Sequence, residues 1–73
     1  MQSEIVEYLE KQLSPKGVSE IADALGLDKV NVSKAIRKLL KYNEVGAIEI
    51  DRHEAKRRFN AKHRMRLYYY MRL

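Results

Sequence analysis

The chain has 73 residues, 45% hydrophobic and 34% charged, with a net charge of +5 and no cysteine. That length allows one small domain, spanning residues 1–73, which buries only about 60% of its unfolded surface and leaves little room for an enzyme's deep pocket. The composition is too apolar for wholesale disorder, and the lack of cysteine excludes a disulfide framework, a zinc finger and thiol chemistry.

Residues 3–13 read as a first helix. Ile5, Leu9 and Leu13 recur at i, i+4, i+8, and Val6 widens the stripe. Ser3 is placed to cap its start, and Glu4 and Glu7 suit the positive end of the helix dipole. Ser14-Pro15-Lys16-Gly17 stops it, since proline cannot continue a helix.

A short second helix is expected over residues 19–25, with Ser19 as its cap and Ile21, Ala22 and Leu25 as its apolar face. Gly26 follows as a left-handed terminator, and Leu27 pins the turn. Asp28 caps a third helix running to Lys41, whose buried stripe is Val32, Ile36, Leu39 and Leu40 with small Ala35 beside them. Asn43 is its expected stop.

Beyond Asn43 the period shortens to two. Gly46, Ile48 and Ile50 alternate with Ala47, Glu49 and Asp51, which predicts a strand over residues 45–51. A second strand is predicted over 64–71, where Met65, Leu67, Tyr69, Met71 and Leu73 alternate with Arg64, Arg66, Tyr68, Tyr70 and Arg72. This alternation puts Tyr69 in the core opposite Ile48 and Ile50, and turns Tyr68 and Tyr70 toward the first helix or a second copy of the chain. The connection, Arg52 to His63, is too long for a tight hairpin. Ala55 and Phe59 at i, i+4 leave room for one or two helical turns around Glu54–Phe59.

Charge is unevenly spread along this order. Residues 1–27 carry Lys11 and Lys16 against Glu4, Glu7, Glu10, Glu20 and Asp23, a net −3, whereas residues 28–73 carry +8. Such an asymmetry points to a polyanion on one face, and nucleic acid is the usual one.

The run Val18-Ser19-Glu20-Ile21-Ala22-Asp23-Ala24-Leu25-Gly26-Leu27-Asp28-Lys29-Val30-Asn31-Val32-Ser33-Lys34-Ala35-Ile36-Arg37-Lys38-Leu39 resembles winged helix-turn-helix domains of the MarR-like kind and other small archaeal and bacterial transcriptional regulators. Leu40 to Ile50 is similar to the helix end and first wing strand of that family. The resemblance covers nearly the whole chain. It implies an α+β fold of three helices with a C-terminal two-stranded β-hairpin wing, here with a long and partly helical wing loop. It also implies a regulator that binds double-stranded DNA in a sequence-specific way.

The family pattern places the early part of the third helix against bases. On that pattern Lys29, Asn31, Ser33 and Lys34 meet base edges, Arg37 a base or phosphate, and Lys38 and Lys41 phosphate or water. Physical chemistry supports such a use, because a helix fits the B-DNA major groove and Arg, Lys and Asn read base edges there. Ser19 and the N–H groups around it suit a backbone phosphate. The wing stretch 52–63 offers Arg52, Lys56, Arg57, Arg58 and Lys62 to the backbone or the minor groove.

Other chemistry finds no support in the sequence. His53 and His63 have no metal-ligand spacing, no glycine-rich phosphate loop exists, and no nucleophile–base pair is visible, so neither an enzyme nor a cofactor is expected. No apolar run reaches the roughly 20 residues of a membrane span. Met1-Gln2-Ser3-Glu4 lacks the start of a signal peptide, so the expected address is the cytoplasm, in association with the nucleoid. A winged-helix module that docks an acidic protein partner, or an RNA binder, would use the same basic face. A homodimer, if formed, would use the first helix or the last strand with Tyr68 and Tyr70.

Overall fold

The computed structural model describes residues 1–71. It is an α+β fold with the order α1 (Gln2–Lys11), α2 (Val18–Leu25), α3 (Lys29–Lys41), β1 (Val45–Ile50), α4 (Arg52–Phe59) and β2 (Met65–Tyr70). The two strands form one antiparallel sheet. Arg72 and Leu73, which the alternation assigns to the last strand, lie outside the described residues.

Helix α1 is shorter than its apolar spacing suggests. It ends at Lys11, Gln12 turns extended, and Leu13 is fully exposed rather than part of the core. The cause is the next connection. The chain leaves α1 early and runs alongside β2, where the Lys16 amide donates to the Tyr68 carbonyl at 2.9 Å and the Tyr68 amide to the Lys16 carbonyl at 2.8 Å. Ser3 does not cap α1 either; the helix starts one residue earlier, with Met1 in that position and no side-chain cap.

Helix α2 also begins before its expected cap. Gly17 is the N-cap residue, and its amide donates to Glu20 Oε1 at 3.1 Å, so Ser19 lies inside the first turn. Gly26 ends α2 at φ 65°, where its lack of a Cβ removes the left-handed penalty. The Leu27 amide reaches back to the Ala22 carbonyl at 2.9 Å, which completes a Schellman-type stop and aims the chain sharply into α3.

Helix α3 follows its sequence signals. Asp28 Oδ1 accepts from the Val30 amide at 2.7 Å, and Asn43 ends the helix in the left-handed region at φ 59°. The Glu44 amide donates to the Leu39 carbonyl at 2.9 Å and the Asn43 amide to the Leu40 carbonyl at 3.1 Å. Val32, Ala35, Ile36 and Leu39 are buried against Ile5 and Leu9 of α1 and Ile21 and Ala22 of α2. Leu40 packs at the margin of that core.

The sheet alternates as the period predicts, and Tyr68 and Tyr70 turn toward the first helix, but Tyr69 does not enter the core. Val45 and Tyr68 enter the helical core, and Tyr69 is exposed together with Ile48. Alternation defines two faces without saying which one meets the helices. Here the aromatic ring of Tyr68 fills the space beside α1, and Tyr69 takes a seat over Gly46, its cross-strand partner. A Cβ at Gly46 would collide with that ring. Leu67, on the same face as Tyr69, is nevertheless fully buried, as is Ala55 of α4, and neither belongs to the main core. Leu67 instead sits close to Gly17, at the start of α2, as does Met65.

Residues 52–59 form a complete fourth helix, which replaces the three-helix expectation. Asp51 caps it, with Oδ1 accepting from the Glu54 amide at 2.8 Å, and Asn60 ends it at φ 56°. Among the described residues, no helix is long and apolar enough to cross a membrane.

Candidate nucleic-acid interface

The outer side of α3 is built by the burial of its inner side. With Val32, Ala35, Ile36 and Leu39 directed into the core, the helical period turns Lys29, Asn31, Lys34, Arg37, Lys38 and Lys41 outward. All six are exposed. Ser33 is half-buried at the edge of this face. Among the described residues, no carboxylate lies within 4.0 Å of any of the five cations. Lys41 rests 5.9 Å above the ring of Tyr42, itself exposed. The result is a continuous cationic stripe along a helix of 13 residues, which is about 20 Å long at 1.5 Å per residue.

Two features at the start of α3 add to the expected set. Val30 is 61% exposed between Lys29 and Asn31, so it shares the outer side of the first turn with them. Its signal in the sequence was visible as an apolar residue off the i, i+3, i+4 stripe. Asp28, in turn, holds the first turn in place through its bond to Val30. Substituting Asp28 by alanine is expected to lower stability by about 1 kcal/mol, the ordinary cost of losing an N-cap, with urea denaturation followed by circular dichroism as the check.

Ser19 stands apart from the role expected for it. It is exposed in the first turn of α2, where its hydroxyl caps nothing. It remains close to the free N–H groups of that helix start.

No protein-family model matches this chain, and no curated protein matches it. The site therefore rests on its own geometry.

The basic stretch before β2 divides into two groups. Arg52, Lys56, Arg57 and Lys62 line one open groove of about 800 Å³ along α4, together with His53 and Asn60. Arg58 is not among them. It leans over the Phe59 ring at 5.4 Å and lies 3.8 Å from Glu54 Oε1. Glu54 also accepts from Arg57 at 2.5 Å. The groove residues recur at 52, 56 and 60 and at 53 and 57, two neighbouring rows on one helix. His53 and Asn60 were not singled out from the sequence. The i, i+4 spacing of His53 to Arg57 would have included His53 once a full helix was assumed.

Tyr68 cannot serve as an exposed contact, because it is buried in the main core. Tyr70 is half-buried and packs against that core. Among the described residues, no group of three or more His, Cys, Asp or Glu side chains comes together as a metal site.

Proposed function

We propose that this protein is a winged helix-turn-helix regulator that binds double-stranded DNA, with α3 as the helix that enters the major groove. One observation carries this reading: the α3 stripe of Lys29, Asn31, Lys34, Arg37, Lys38 and Lys41 is exposed and, among the described residues, has no carboxylate within 4.0 Å, while the opposite stripe is fixed in the core. A rod about 10–12 Å across matches a major groove about 12 Å wide, and its side chains carry the donors that guanine, adenine and phosphate accept. The sharp α2–α3 turn at Gly26 and the two-stranded sheet after α3 are compatible with a winged fold.

The reading refines the role of residues 52–63. A helix about 10–12 Å across is too thick for a minor groove about 6 Å wide. Arg52, Lys56, Arg57 and Lys62 of the α4 region are thus assigned to the phosphate backbone, and sequence choice is left to α3. Lys29, Asn31, Ser33 and Lys34 are assigned to bases, Arg37 to a base or phosphate, and Lys38, Lys41 and Ser19 to phosphates.

Fluorescence-anisotropy titration of a labelled duplex tests the proposal. The logarithm of affinity should fall linearly with the logarithm of salt concentration, with a slope of about −0.9 for each phosphate contacted. Absence of binding at low salt, or binding that salt does not weaken, overturns it. Competition by structured RNA separates the DNA reading from an RNA one.

A further inference from the structure

We infer that the groove on α4 is a binding site for a small linear polyphosphate, either free or as the tail of a nucleotide. The groove is open to solvent, and the side chains of one helix and the three residues that follow it frame a volume of about 800 Å³.

Its lining suits phosphate oxygens. Arg52, His53, Lys56, Arg57, Asn60 and Lys62 each carry at least one side-chain N–H donor, and among the described residues no carboxylate lines the groove. Glu54, the nearest acid on the helix, faces Arg57 and Arg58 instead. Among the described residues, Arg52, Lys56 and Lys62 have no carboxylate within 4.0 Å. A phosphate chain would therefore meet donors not already committed, and bonds between charged partners are the stronger kind.

The groove is also elongated. Arg52, Lys56 and Asn60 are spaced over eight residues, which is about 12 Å along a helix at 1.5 Å per residue. That length calls for several phosphates in line rather than one. The local structure sets how the row is presented. Ala55 is fully buried and Phe59 half-buried, so Arg52, Lys56 and Asn60 stay exposed. Asn60, left-handed at φ 56°, turns the chain after the helix, and Lys62 joins the lining of the groove.

Binding itself does not depend on the DNA reading. The regulatory consequence does rest on it: a polyphosphate in this groove would occupy the cations assigned to the duplex backbone, so it should weaken duplex binding.

Isothermal titration with inorganic tripolyphosphate tests the site in three proteins: wild type, the R52Q/K56Q/K62Q variant and the R37Q/K38Q variant. Circular dichroism confirms that each is folded. Saturable binding is expected in the wild type, weakened about tenfold or more by the α4 substitutions and changed less than about twofold by those on α3, since direct charged contacts outweigh distant ones. No saturable binding in the wild type, or equal losses in both variants, overturns the inference. Tighter binding of a nucleoside triphosphate than of tripolyphosphate would support the site and assign it to nucleotides; equal affinity would support it as a phosphate-chain site. Tripolyphosphate that binds a protein with no duplex affinity supports the groove and removes only the DNA reading, whereas duplex binding without tripolyphosphate binding removes only the groove.

Discussion

Replacing Lys34, Arg37 and Lys38 together with alanine is expected to weaken duplex binding by about 100- to 1,000-fold without lowering stability. An arginine bonded to a guanine contributes about 1–3 kcal/mol, and each lost phosphate contact removes counterion release as well. The three side chains are exposed and make no ion pair among the described residues, so their loss breaks no ion pair there. Alanine is also at least as good a helix former as lysine or arginine. Anisotropy titrations across several salt concentrations should show both the lower affinity and a shallower salt dependence, and urea melts should coincide with the wild type. Affinity unchanged by the triple substitution would refute α3 as the DNA-contacting helix.

The Ile36→Ala substitution should have the largest effect on stability. Ile36 is 1% exposed on the inner stripe of α3 and belongs to the main core. Removing its outer carbons costs transfer free energy and leaves a cavity, about 2–5 kcal/mol in total. A domain of this size is stable by only about 4–11 kcal/mol, at 0.05–0.15 kcal/mol per residue. The variant should therefore lose a large share of its stability, seen as a lower midpoint in urea denaturation followed by circular dichroism. Val30→Ala is the control on the same helix: at 61% exposure its change should stay within about 0.5 kcal/mol. A cost at Ile36 below about 1 kcal/mol would contradict the packing described. Where the Ile36 variant remains folded, its duplex affinity should match the wild type, since it touches the interface only through the position of α3.

The helices were largely legible because their signals are local. Asp28 and Asn43 bracket α3 through bonds to their own neighbours, and the 3.6-residue period alone separates Val32, Ile36 and Leu39 from the lysines. The cationic stripe was readable for the same reason: once the inner stripe is fixed, the outer one follows. What failed depended on contacts distant in the chain. Leu13 fits the apolar spacing of α1, yet pairing of Lys16 with Tyr68 pulls the chain out of the helix first. Tyr69 lies outside the core it was expected to enter, because strand alternation is blind to which face the helices cover. Ser19 lost its cap to Gly17, where a backbone amide and Glu20 do the work of a hydroxyl. The division of the basic stretch into Arg58 and the groove residues needed the full helix and the direction of Glu54, neither of which residue counting supplies.

The bond pair between Lys16 and Tyr68 also bears on the order of folding during synthesis. A nascent chain that has emerged only through Lys41 has all three of its first helices, yet lacks Val45 and Tyr68 from the core and the neighbour that Lys16 needs. Closure of the helical layer thus waits on the last strand, and contacts so far apart in the chain are slow to form. On that topology the core under α3 is complete only once Tyr68 of β2 is in place.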